Sequence, residues 1–257
     1  YGEALLRQGR EDEAYEAFLQ ALALDANGPH VARIAGLVGD AHKVSRLTRT
    51  STDNYSARFD LDGTHVVYTS HVDGNGELML LTLATRQLRR LTDLPHTNEY
   101  GANYSPDGAS LLYSSVQHRT NAGLITLQAS GSSTRNEAFM TRDLATDEDR
   151  RLSPSPGPVG SPLYSPDGAR VLFEAIVDGN LDIWTMAADG KDRLRLTTTT
   201  EDDGQAAYHP GGDRIIFVRT FERNFELMDM ATDGSDTRHI TTTPYAEFGG
   251  SFSADGK

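Results

Sequence analysis

The chain has 257 residues, enough for one or two domains, and carries 24 Lys and Arg against 37 Asp and Glu, a formal net charge of −13. That balance argues against nucleic acid and anionic membrane surfaces as partners, because phosphate binding needs clustered Lys and Arg, while it admits cations or basic proteins. Cysteine is absent, which excludes disulfides, zinc–thiolate sites and a cysteine nucleophile, and no stretch approaches the ~18 apolar residues of a membrane span.

Residues 1–42 read as helical. Gly2, Gly9, Ala14, Phe18 and Ala21 stand at the spacing of a tetratricopeptide repeat entered in the middle of its first helix. Gly9 lets the helices turn, and Ala14, Phe18 and Ala21 form an i, i+4, i+7 stripe on the second helix. Ala26 stands where such a repeat usually has Pro. One and a half helices bury no face alone, so further helical repeats are expected before this segment.

Residues 43–257 repeat a five-residue signature: aromatic, small polar, Pro, Asp, Gly. It stands as Tyr104-Ser105-Pro106-Asp107-Gly108 and Tyr164-Ser165-Pro166-Asp167-Gly168. Weaker copies are Phe59-Asp60-Leu61-Asp62-Gly63, Tyr208-His209-Pro210-Gly211-Gly212 and Phe252-Ser253-Ala254-Asp255-Gly256. The aromatic advances by 45, 60, 44 and 44 residues. A second marker keeps the same beat: Arg46-Leu47-Thr48, Arg90-Leu91-Thr92, Arg151-Leu152-Ser153, Arg195-Leu196-Thr197 and His239-Ile240-Thr241. Two motifs locked in phase mean one structural unit copied several times.

The copy from Leu163 to Thr197 shows what the unit is. Ser-Pro-Asp-Gly supplies Pro and Gly where a tight turn needs them. Val171 to Ile176 is rich in β formers, Asp178-Gly179-Asn180 turns, Leu181 to Met186 is a third strand, Asp189-Gly190 turns again, and Arg193 to Thr197 alternates as a fourth. Four antiparallel strands with an apolar second strand describe a propeller blade covered on both faces by its neighbours. The expected fold is mainly β, a propeller of four-stranded blades over 43–257 after a short helical segment at 1–42. The fifth signature implies the first strand of a fifth blade. Lys43 to Thr48 is expected to be the outer strand of the last blade, paired with strands beyond Lys257.

These motifs resemble the TolB-like β-propeller repeat, a relative of the WD-repeat. Residues 163–197 match each part of its blade, and the resemblance covers residues 43 to 257. Asp60-Leu61 lacks the Pro, His209 replaces Ser, and Gly211-Gly212 replaces Asp-Gly, which affects individual turns. The resemblance, with helical repeats joined to the propeller, implies a periplasmic or envelope-associated bacterial protein that binds other proteins.

Motifs of catalysis are missing. There is no Gly-x-Ser-x-Gly elbow, Walker loop, dinucleotide fingerprint or His-Glu-x-x-His. His209 reads as a turn cap, His96 and His118 as loop residues, and Trp184 as blade packing like Met140 and Met228. Five residues before each signature aromatic stand Asn54, Glu99, Val159, Asp203 and Glu247. The ring's rotation would set them in an acidic arc on the loop face, with Asp53 and Asp202 beside it. Two readings stay open: each carboxylate caps its own loop or pairs with an Arg, or together they form a negative mouth for a cation such as calcium or for a basic peptide.

The 60-residue step places an insertion, 117–137, between the second and third strands of one blade. Such a loop is either a functional attachment or a plain insertion. The functional expectation is a non-catalytic protein–protein interaction scaffold of the cell envelope, without cofactor, binding partners on the loop face. The alternative is the propeller of a prolyl oligopeptidase-like hydrolase, with its Ser-Asp-His domain elsewhere, or a propeller-type polysaccharide lyase.

Overall fold

The computed structural model describes residues 10, 13, 14, 17, 18, 21, 34, 47, 48, 52–117, 137–152, 159–221, 224–243, 245–253 and 256. The chain divides into two compact units, residues 1–49 and 50–257. In the first, Glu13, Ala14, Ala17, Phe18, Ala21 and Ile34 are helical, and the Ala14 N–H donates to the Arg10 carbonyl at 3.0 Å. Ala14 and Phe18 are buried with Ile34. Ala21, expected in the same stripe, is exposed. Gly2, Gly9 and Ala26 lie outside the described residues, as does most of the 43–48 segment, whose Leu47 and Thr48 are in no strand.

The second unit is the expected set of blades, four antiparallel sheets of four strands in chain order. Blade one holds β1 (Asn54–Phe59), β2 (His65–Val72), β3 (Asn75–Thr82) and β4 (Leu88–Arg90). Blade two holds β5 (Thr97–Tyr104), β6 (Ser110–Gln117), β7 (Glu137–Asp143) and β8 (Asp149–Arg151). Blade three holds β9 (Val159–Tyr164), β10 (Arg170–Val177), β11 (Asn180–Ala187) and β12 (Leu194–Arg195), and blade four β13 (Asp203–Tyr208), β14 (Arg214–Phe221), β15 (Asn224–Ala231) and β16 (Arg238–His239). The first strands β1, β5, β9 and β13 touch in succession, while each fourth strand packs chiefly on its own third strand. First strands are therefore innermost. The insertion joins β6 to β7, and residues 118–136 lie outside the described residues.

The signature turn closes by its own side chains. Ser105 Oγ donates to Asp107 Oδ1 at 2.6 Å, Asp107 Oδ1 accepts from the Ala109 N–H at 3.0 Å, and Ser105 Oγ accepts from the Ser110 N–H at 2.9 Å. Ser165, Asp167, Ala169 and Arg170 repeat these bonds. In blade four His209 Nδ1 does the accepting, from the Gly211 N–H at 3.0 Å. The second-to-third-strand turn is of another kind: Asp178 and Gly179 both have positive φ, 55° and 86°, the type I′ geometry that Asp-Gly favours.

The Arg-Leu-Thr marker ends a strand rather than forming one. The fourth strands are two or three residues long, and the chain then turns into the joint between blades. Leu91 is buried with Val67 and Leu78 against Ala102, Leu111 and Tyr113. Leu152 does the same between blades two and three, beside Phe139, Val171 and Phe173, and Leu196 between three and four, beside Ile183, Ile215 and Phe217. Each such leucine contributes roughly 2 kcal/mol by burial. Ile240, at the same repeat position, stays 52% exposed.

Residues 245–253 form no strand, although the fifth signature implies one. No described strand of the chain pairs with this segment to build a ladder. It still lies along blade four as a first strand would: the Glu247 N–H donates to the Phe225 carbonyl at 2.9 Å, and the Gly249 N–H to Gln205 Oε1 at 2.7 Å. Gly249 has φ 64°, matching Ser56, Gly101 and Gln205 at φ 54°, 66° and 52°. These are the bulges where β1, β5 and β13 shift register.

Candidate functional site

Antiparallel order puts the second-to-third-strand turns and the blade-to-blade loops on one face, and the signature turns on the other. The residues of the acidic arc head the first strands on that loop face. Glu99, on β5, is fully buried and accepts from Ser115 Oγ at 2.8 Å through Oε1. Its Oε2 has no hydrogen-bond partner. Burial pushes its carboxyl up to about 7; the Thr97 and Ser115 hydroxyls pull the other way, and Glu77 and Asp149 add to the rise. Asp203, also fully buried, accepts from Arg219 at 2.7 and 2.9 Å. Glu247 accepts from Thr241 and Thr243, each at 2.5 Å, and those bonds hold it below the usual carboxylate value. Asn54 donates to the Thr52 carbonyl at 3.0 Å, and Val159 opens β9.

Asp202 reaches into the preceding blade, where its Oδ1 accepts from the Leu181 N–H at the head of β11, at 2.8 Å. Asn98, its counterpart one residue before Glu99, does the same for the Gly76 N–H of β3 at 2.6 Å. Asp53 holds that repeat position in blade one and is exposed, its carbonyl accepting from the His71 N–H at 3.1 Å. The carboxylates of Glu99, Asp202, Asp203 and Glu247 are thus each engaged at their own blade or joint, while that of Asp53 is exposed. Among the described residues no group of three or more His, Asp or Glu is placed to hold a metal ion.

A second acidic series escaped the motif search. Glu77, Glu137, Asp182 and Glu226 stand at the head of the third strands and recur at 60, 45 and 44 residues. Glu77 is held by Arg90 at 3.0 Å and Thr92 at 2.7 Å. Arg195 holds Asp182 at 2.5 Å, His239 holds Glu226 at 2.7 Å, and the Tyr100 hydroxyl donates to Glu137. The Thr of three markers also accepts a strand N–H: Leu78 to Thr92 at 2.9 Å, Ile183 to Thr197 at 3.0 Å, Leu227 to Thr241 at 3.0 Å. In the Arg90 and Arg195 copies the marker is a clasp: Arg to the third-strand acid, Leu into the joint, Thr onto the third-strand backbone.

Five aspartates, Asp53, Asp73, Asp93, Asp178 and Asp202, are exposed on the described part of the loop face. Arg90 lies among Asp73, Glu77 and Asp93, at 3.6, 3.0 and 2.7 Å, yet Asp73 and Asp93 keep 83% and 82% of their side-chain surface in solvent. Arg195 and Arg219 are taken up by Asp182 and Asp203. Trp184 belongs to the packing, stacked on Phe173 with Arg195 over its ring, and His96 is an exposed loop residue; His118 lies outside the described residues.

Residues 130–257 match the family model of the TolB beta propeller domain. Two TolB structures share the fold. That from Acinetobacter baumannii has a TM-score of 0.64 at 18% identity over 81% of this chain and 48% of that one. That from Agrobacterium tumefaciens has a TM-score of 0.58 at 23% identity over 71% and 63%. The chain thus spans less than two thirds of either TolB protein. A puromycin-hydrolysing peptidase of Mycobacterium tuberculosis is similar over 82% of this chain and 35% of its own, with a TM-score of 0.57 at 14% identity; identities this low show the fold alone. The TolB match does not reach residues 1–42, and the tetratricopeptide reading of that segment gains no support from it.

Proposed function

We propose that this TolB-like propeller is a protein-interaction scaffold of the bacterial periplasm or cell envelope, and that it receives a basic segment of a partner protein on its loop face. The observation that carries the reading is the charge of that face. Asp73, Asp93 and Asp178 are exposed in its turns and loops, Arg90 is shared among Asp73, Glu77 and Asp93, and Arg195 is bound by Asp182. Such a face raises the local concentration of a cationic partner and speeds its encounter. The TolB match supports a protein partner and the envelope setting.

The test places photo-crosslinking residues at 73, 93 and 178 on the loop face, and at 62, 107 and 167 on the opposite face. Crosslinks to a partner in the producing cell are expected from the first set, weakening with rising salt. Crosslinks confined to the second set would refute the assignment. A peptidase activity of the full-length protein would move the reading to the hydrolase alternative.

A further inference from the structure

We propose that Glu99 is a proton-operated latch between blades one and two: as a neutral acid it lets the two blades close, and its ionisation loosens their joint. Blade four is the internal control. Asp203 and Arg219 face each other across β13 and β14, on the side where Phe217 packs against blade three. Glu99 and Ser115 occupy the same register across β5 and β6, on the side where Tyr113 packs against Val67 and Leu78 of blade one. Blade four answers its buried carboxylate with a guanidinium, and blade two answers with a hydroxyl.

Among the described residues, the surroundings of Glu99 offer no substitute cation. From blade one it faces Glu77, which Arg90 and Thr92 hold. Within blade two it faces Asp149, which binds Arg142 at 2.6 Å and accepts from the Tyr113 hydroxyl at 2.9 Å. Thr97 and Ser115 are its hydroxyl neighbours. Across the joint Thr69 pairs with Leu78, on the side turned to blade two, and its buried Oγ1, like Glu99 Oε2, has no hydrogen-bond partner. An ionised carboxylate in such a place costs far more than a neutral one. The folded carboxyl sits near 7 against an ordinary 4.5. The stabilisation is therefore complete below the unfolded value and lost as pH rises through the folded one. Glu99 is linked to the rim of the loop face through its neighbour Glu77, which shares Arg90 with Asp73 and Asp93.

The test is the melting temperature of the whole chain from pH 5.5 to 8.5, for wild type, Glu99→Gln and Ser115→Arg. Wild type should fall by several degrees more than Glu99→Gln over that range, roughly 2–4 °C for each kcal/mol in a unit of this size. Ser115→Arg, which restores the cation found in blade four, should also flatten the profile. Subtracting Glu99→Gln removes the exposed imidazoles of His71 and His96, which both proteins share. A carbon-13 titration of the Glu99 carboxyl in wild type needs no variant, and its midpoint is expected near neutrality. Superimposable profiles for wild type and Glu99→Gln, or a carboxyl midpoint in the ordinary range, would overturn the proposal.

Discussion

The Arg219 guanidinium grips both carboxylate oxygens of Asp203 inside the packing of blade four on blade three. Removing one partner strands a buried charge, a much larger penalty than the pair's own net contribution. Arg219→Met should cost about 3–5 kcal/mol. Adding Asp203→Asn should restore a good part of that loss, because the orphaned charge goes with it. Urea unfolding of the two single variants and the double one measures the coupling, and strict additivity would contradict this account.

Gly190 turns at φ 90° with its α-carbon against blade two, and a Cβ there would stand 2.2 Å from the Leu152 carbonyl oxygen. Gly190→Ala meets both an unfavourable backbone region and an immovable neighbour, so about 3 kcal/mol or more should be lost. Gly74 has nearly the same φ, 87°, in open space. Gly74→Ala should cost only about 1 kcal/mol, the conformational part alone. Equal losses in a chemical denaturation series would remove the steric part of the argument.

The marker leucine is a plug only where a blade lies on both sides. Leu152→Ala should cost about 2–5 kcal/mol through the cavity it opens. Ile240→Ala, at the half-exposed counterpart, should stay near 0.5 kcal/mol, as surface changes do. Melting temperatures of the two variants, compared with wild type, read the contrast directly.

Asp107 and Asp167 are held below their ordinary value of 3.8, first by the Ser105 and Ser165 hydroxyls and then by the Ala109 and Ala169 N–H groups. A depressed carboxyl contributes stability that is present above its unfolded value and lost as pH falls through the folded one. The signature turns should therefore weaken only in acid, at about pH 4 and below. The Asp107→Asn, Asp167→Asn double variant should show a shallower acid limb between pH 2 and about 5, followed by urea midpoints at each pH. An unchanged limb would mean that the turns do not respond to this charge.

The architecture was legible because its punctuation is local. Ser105-Pro106-Asp107-Gly108 closes on itself through its own hydroxyl and carboxylate, so five residues suffice to announce the turn. The insertion was legible as arithmetic, from one long step in an otherwise even beat. Features that depend on a neighbouring blade were not. Thr197 looks like an ordinary polar exit until the Ile183 N–H donates to it. Gln205 gives no hint of its positive φ, nor of Glu174 in the blade before, whose Oε1 accepts the Gln205 N–H at 2.5 Å. The partners of the arc's acids, Ser115, Arg219 and the Thr241 and Thr243 hydroxyls, lie on other strands or loops and could not be paired by spacing. Ala21 satisfied a helical stripe in one dimension and not in three.

The staples from Asn98 to Gly76 and from Asp202 to Leu181 both run the same way, from the entry of one blade back into the hairpin of the blade before. The hairpins of blades one and three are thus each secured by the blade that follows. Fraying that begins at a later blade uncaps the one before it, and that blade becomes the next to open. Fraying that begins at an earlier blade leaves the later hairpins still capped. Pulled from its two ends, the propeller would behave like a ratchet, peeling readily in one direction and resisting in the other.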